Sequence, residues 1–130
     1  MLYLDWIFIR IEVKPILKIA LVDDEQEYLD GMGKLCNSFG RSAGYPVEAV
    51  PFCSAGDFLE AFSGGSFDLV FMDIYMEGMD GVAAALEMRK SDSGCLLVFL
   101  TSSTDFMPDA FSCHAFEYVT KPFSEKRIFD

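Results

Sequence analysis

Short apolar runs of about six residues alternate along most of this chain with longer stretches in which apolar positions recur every three or four residues. That alternation is the signature of βα units feeding a parallel sheet. Residues 17–22, 47–52, 67–72, 95–100 and 116–119 read as five strands, each nearly unbroken by polar residues, as strands covered on both faces require. Between the first two, Tyr28, Leu29, Met32, Leu35, Cys36 and Phe39 form one stripe of a helix that the pattern ends near Gly40. Ser54, with Asp57 three residues on, opens a short helix carrying Phe58, Leu59 and Phe62 and stopped by Gly64-Gly65. A third helix begins after Met79-Asp80-Gly81 and is expected to bury Val82, Ala85 and Leu86, with Arg89-Lys90 at its polar end. A weaker helical stretch over 104–114 has Pro108 near its start, where a missing N–H costs least. Residues 123–130 begin one more helix, which reads as truncated.

Ahead of the first strand, Ile7, Ile9, Ile11 and Val13 alternate with Phe8, Arg10, Glu12 and Lys14, a strand-like pattern with one apolar side. The charges there, Asp5 included, and the lack of a basic start exclude a signal peptide and a membrane span. With 130 residues there is room for one domain, divided here into an extension, 1–16, without an assigned role and a folded domain, 17–130. A hydrophobic content of 52% excludes a disordered chain, and a domain this size buries roughly two-thirds of its unfolded surface. Ten basic against 21 acidic residues give a net charge of −11, which repels nucleic-acid phosphates and anionic membranes alike. Neither is expected as a direct partner.

Cys36, Cys53, Cys95 and Cys113 form no CxxC, and His114 is the only histidine, so zinc and disulfide frameworks are both excluded. Free thiols in or beside apolar runs behave as small hydrophobes in a reducing compartment, which points to the cytoplasm. His114 sits at a helix end, where a structural role fits better than catalysis. Met72, Met76 and Met79 suit packing, since thioethers are poor partners for a hard ion.

In an open parallel sheet, ligands bind beyond the carboxyl ends of the strands. The first strand ends in Asp23-Asp24, the third in Asp73, the fourth in Thr101-Ser102 and the fifth in Lys121, so one rim gathers three carboxylates, a hydroxyl and an ammonium. Carboxylates about 4 Å apart repel by roughly 4 kcal/mol at an effective dielectric near 20, and a divalent cation is the natural relief. An all-oxygen set without sulfur or imidazole suits Mg²⁺, which keeps waters and shares its shell with a phosphate. Lys121 and Thr101 then suit the remaining phosphate oxygens. Taken singly, each residue also fits a plainer role: Asp24 with Glu27 a helix capping box, Asp73 a turn cap, Thr101 part of an N-cap, and Lys121 a solvated loop. Only their joint placement at strand ends favours a site.

Four motifs carry a family resemblance: Ile19-Ala-Leu-Val-Asp-Asp-Glu25, Phe71-Met-Asp-Ile-Tyr-Met-Glu-Gly-Met-Asp-Gly81, Phe99-Leu-Thr-Ser-Ser103 and Tyr118-Val-Thr-Lys-Pro-Phe123. In these the chain, from residue 17 to its end, resembles a bacterial two-component response-regulator receiver domain. The resemblance implies a flavodoxin-like (CheY-like) doubly wound α/β fold, a five-stranded parallel sheet of order 2-1-3-4-5. It implies a phosphoryl-accepting Asp73, Mg²⁺ bound directly by Asp24, largely through water by Asp23, and by the backbone carbonyl of Tyr75. Lys121 would contact the phosphoryl group, Thr101 would move toward it, and Tyr118 matches the aromatic that swings with that threonine. A cis peptide before Pro122 is also implied. Three features depart from the pattern: Glu77 stands where proline is frequent, Tyr75 is bulky beside the phosphoryl position, and the last helix is short. The Thr-Ser-Ser segment and the ending from Ala115 to Phe123 are similar to receivers attached to LytTR-type DNA-binding domains.

The expected function is therefore a phosphoacceptor, not a turnover enzyme, taking a phosphoryl group from a histidine kinase or phosphotransfer protein. Its output would be an altered surface on the fourth helix and fifth strand, including Phe106, Ala110, Phe111 and Phe116, for an output domain or a second copy. Two other readings stay open: a receiver-like binding module that is never phosphorylated, and a Mg²⁺-dependent aspartyl phosphohydrolase. The second usually has another carboxylate two residues after the nucleophile, a position that Tyr75 fills here.

Overall fold

The structure, a computed structural model, describes residues 16–102 and 107–121. Five strands, β1 (Leu17–Val22), β2 (Val47–Phe52), β3 (Leu69–Met72), β4 (Leu96–Thr101) and β5 (Glu117–Thr120), alternate with four helices. These are α1 (Gln26–Ala43), α2 (Ala55–Ala61), α3 (Gly81–Arg89) and α4 (Met107–Ser112). Every strand pair is parallel, and the order is β2-β1-β3-β4-β5, as the resemblance implied. Because the chain leaves β1 toward β2 on one side and returns to β3 on the other, the strand order reverses beside β1. The crevice at its carboxyl end is the place where this architecture binds ligands.

Alternate strand residues feed two cores. On one face Leu17, Ile19, Leu21, Leu69, Phe71, Val98 and Leu100 pack with Leu29, Met32, Cys36 and Phe39 of α1. On the other, Ala20, Val22, Val70, Met72, Leu97 and Phe99 meet Phe58 of α2, Ala84, Ala85 and Met88 of α3, Ala110 of α4 and Cys113 just after it. Strands apolar on both sides thus need helices on both sides, which is why their sequences carry no polar alternation.

Several element ends differ from the sequence reading. Helix α1 runs through Gly40 to Ala43 and is closed by Gly44, whose φ of 66° is the left-handed conformation that glycine adopts without strain. Gly40 serves another purpose: a Cβ there would lie 2.9 Å from Val47 Cγ2, so the missing side chain lets α1 approach β2. The Asp24 and Glu27 capping box does not form, since Glu25 is the N-cap residue and no side chain caps the helix. Ser54 does cap α2, accepting from the Asp57 N–H at 3.1 Å, but α2 ends at Ala61 with Phe62 as its C-cap, before the glycine pair. Phe67 precedes β3 and joins a ring cluster with Phe52, Phe58 and Phe62. In α3 the buried residues are Gly81, Ala84, Ala85 and Met88; Leu86, about 200° around the helix from Ala84, is left 46% exposed. Residues 1–15, 103–106 and 122–130, and with them the N-terminal extension, Phe106, the Lys121-Pro122 peptide and the truncated last helix, lie outside the described residues.

Candidate functional site

Strand ends deliver the site. Asp23 follows β1 directly, and its backbone N–H donates to Phe52 O. Asp73 follows β3 and donates its N–H to Val22 O, so the sheet ladder fixes both aspartates side by side. Lys121 follows β5, its N–H donating to Thr101 O at 2.7 Å. The Lys121 Nζ lies 2.7 Å from Asp23 Oδ2 and 3.4 Å from Asp73 Oδ2, with all three side chains nearly buried. It also stands 3.8 Å from the centre of the Tyr28 ring in the first turn of α1.

Burial and charge pull these groups apart. Desolvation, followed by the neighbouring Asp23 charge, pushes the Asp73 carboxyl up to about 6 despite the opposing attraction of Lys121. For Lys121 burial acts to lower the pKa, yet the hydrogen bond to Asp23 and the charges of Asp73, Asp23 and Glu25 outweigh it and hold the ammonium above its ordinary value. Lys121 is therefore charged and shared, not the solvated loop residue that its position alone allowed. Thr101 is completely buried, and its Oγ1 is the one buried side-chain polar atom without a hydrogen-bond partner among the described residues. An unpaired buried hydroxyl costs roughly 1–3 kcal/mol, and such a cost is typical of functional positions.

Asp24 is exposed and accepts the Glu77 N–H at 3.1 Å, tying the loop after β3 to the end of β1. Asp23 Oδ1 accepts the Glu25 N–H at 2.9 Å. Carboxylate oxygens of Asp23, Asp24 and Glu25 all lie within 4.8 Å of one another. Together with Asp73 they form an all-oxygen, multiply acidic set whose repulsion a hard divalent cation would relieve, so these residues fit Mg²⁺. Gly81 secures the loop from below: a Cβ there would overlap the Asp73 carbonyl, and its N–H donates to Ile74 O at 2.9 Å.

Other expected residues are placed at the margin. Tyr75 is 47% exposed. Tyr118 is half-buried with its ring 6.1 Å from Phe99, on the strand that carries Thr101. Of the expected output surface, Phe111 is 80% exposed, Ala110 is buried and Phe116 packs against the α1-side core. Met72 and Met76 are buried as packing residues, whereas Met79 is 44% exposed. His114 follows α4 with φ 55°, a left-handed turn position. Three cysteines are buried and free; Cys53 is free but exposed, unlike the small core hydrophobe expected. Two site neighbours were not singled out by sequence reasoning. Glu25 was legible as the third acid in a row, while Tyr28 was hidden within the apolar stripe of α1.

The response regulator receiver domain family matches residues 19–130. The chain belongs to that family. Transcriptional regulatory protein RprY of Bacteroides fragilis is 30% identical over 120 residues, covering 91% of this chain and 48% of RprY. Transcriptional regulatory protein LytR of Staphylococcus aureus is 26% identical over 112 residues, covering 86% of this chain and 44% of LytR. The receiver thus spans about half the length of the curated relatives it matches. Among solved structures, response regulator TrrA of Thermotoga maritima in complex with Mg²⁺-BeF superposes with a TM-score of 0.69 at 28% identity, over 86% of this chain and 92% of that one. A receiver is a signalling domain, and among the described residues no helix is long and apolar enough to cross a membrane.

Proposed function

We propose that this receiver, residues 17–130, accepts a phosphoryl group on Asp73 from a phosphohistidine of a sensor kinase or phosphotransfer protein. The observation that carries the reading is the Lys121 ammonium shared between Asp23 and Asp73 at the carboxyl rim of the sheet. In the transfer the phosphorus–nitrogen bond breaks, an Asp73 Oδ takes the phosphorus, and the imidazole leaves with the bonding electron pair. Lys121 neutralises charge on the transferred group, and Asp23, Asp24 and Asp73 with the Tyr75 carbonyl would hold Mg²⁺. That ion, when bound, supplies further charge neutralisation. TrrA, 28% identical, was solved with Mg²⁺-BeF, which supports the metal assignment here.

Once formed, the acyl phosphate presents acceptor oxygens to the buried Thr101 hydroxyl, which has no hydrogen-bond partner among the described residues. Movement of Thr101 along β4 would repack Phe99 against Tyr118 and so change the surface of α4 and β5. Phe111, already exposed there, suits contact with an output domain or a second receiver. The likeness to LytR and RprY supports a place in a transcription regulator, of LytTR type on the LytR likeness, with the DNA contacts made outside this acidic chain. Free cysteines, three of them buried, support a cytoplasmic setting.

Incubation with a small phosphoramidate or acyl-phosphate donor and Mg²⁺, followed by intact mass, tests the reading. The parent gains one phosphate and Asp73→Asn gains none. A parent that gains none would be a silent binding module, and sustained release of phosphate from many substrates would mark a hydrolase. Either result overturns the proposal.

A further inference from the structure

We infer that Tyr28 is a positioning residue for phosphoryl transfer, its ring face holding the Lys121 ammonium in place while both carboxylate partners of that ammonium change. The inference rests on the phosphoacceptor reading above and concerns a residue that its motifs do not include.

Among the described residues Lys121 Nζ contacts Asp23 Oδ2 at 2.7 Å, Asp73 Oδ2 at 3.4 Å and the Tyr28 ring, whose centre is at 3.8 Å. The first two cannot be constant through the reaction. Asp73 gives up a carboxylate oxygen when it becomes an acyl phosphate, and Asp23 is a candidate metal ligand. The ring face neither receives the phosphoryl group nor belongs to the candidate metal set, so its negative quadrupole faces the cation at every stage. A four-carbon stem carrying a compact charge is otherwise free to swing, and ordering it at the moment of reaction costs side-chain entropy. The ring is itself well anchored: the Tyr28 N–H donates to Glu25 O at 3.0 Å, the side chain is half-buried, and Leu29 beside it is buried. Tyr28 also lines, with Asp23 and Asp73, the small pocket between α1 and the ends of β1 and β3.

The test compares Tyr28→Phe, which keeps the ring, with Tyr28→Leu, which keeps apolar bulk and removes the π face. With acetyl phosphate and Mg²⁺, the parent and Tyr28→Phe are expected to be phosphorylated at like rates, and Tyr28→Leu about five- to tenfold more slowly, the range a partly desolvated cation–π contact carries. The proton resonances of the Lys121 Cε methylene are expected upfield in the parent and in Tyr28→Phe, and at ordinary values in Tyr28→Leu, with all three chains folded at the assay temperature by circular dichroism. A mere packing role would not move the Lys121 resonances. Equal phosphorylation of parent and Tyr28→Leu, or no upfield shift in the parent, overturns the inference and leaves Asp73 as acceptor. A parent that takes no phosphate overturns both, and the two failures are thereby told apart.

Discussion

The two ends of the sheet use the same kinds of charged residue in opposite ways. At the amino end, Asp92 accepts the N–H groups of Gly65, Gly94 and Cys95, at 2.9, 2.9 and 2.8 Å. Burial acts to raise its pKa, yet these donors and Arg89 outweigh it and hold the carboxyl below its ordinary value. Arg89 in turn donates to the carbonyls of Cys113, Asp92, Cys95 and His114, stitching α3, the start of β4 and the end of α4 together. At the carboxyl end, Asp73 is pushed up to about 6, Thr101 Oγ1 has no partner among the described residues and one ammonium serves two carboxylates. The amino end uses its charges to satisfy backbone groups, whereas the carboxyl end leaves its charges in mutual conflict, as the proposed phosphoacceptor site requires.

The contrast predicts opposite signs for substitutions at the two ends, beginning with Asp73→Asn in chelator. A carboxyl raised from 3.8 to about 6 on folding favours the folded state only when protonated, so above pH 6 its ionisation costs about 3 kcal/mol. Asp73→Asn should therefore stabilise the metal-free receiver by up to that amount at neutral pH. The gain should shrink as pH falls from about 6 and vanish below about 4. Urea unfolding across that range measures it, and destabilisation at neutral pH would break the contrast. At the amino end Arg89→Ala leaves buried carbonyls of Cys95 and Cys113 without their donor and should cost about 2–3 kcal/mol in the same assay. An unchanged midpoint would mean that the guanidinium contributes nothing net. The smallest expected effect is at Thr101, where Thr101→Val replaces an unpartnered hydroxyl with a methyl of like shape. It should be neutral or stabilise by about 1 kcal/mol without phosphate. A loss of more than that would reveal a partner for Oγ1.

Much of this was legible in the sequence because strands of a parallel sheet are apolar on both faces and stop where polarity begins. Asp23, Asp73, Thr101 and Lys121 are the residues at which β1, β3, β4 and β5 give out, so the site was written as strand ends. Helix boundaries were less legible because glycine has two uses. Gly40 serves close packing and Gly44 serves the left-handed cap, and a pattern of apolar positions does not separate them. Asp24 looked like half of a capping box because spacing records which residues are within reach but not which donor wins; the Glu77 N–H, far along the chain, takes it. The ion pair of Lys121 with Asp23 was hidden for the same reason, since the ammonium arrives from the end of β5. Tyr28 was absorbed into a hydrophobic stripe, which records burial and is blind to a cation over a ring. Arg89 read only as part of a polar helix end, and Asp92 was not singled out, because the backbone groups they satisfy come from three separate segments.

Placing the acyl phosphate tests the central claim most directly. Borohydride reduction of the receiver after phosphorylation, followed by digestion and peptide mass analysis, converts an aspartyl phosphate to homoserine and identifies its position. The account predicts homoserine at position 73 alone. Homoserine at position 23 or 24, or a phosphate carried elsewhere in the chain, would contradict it.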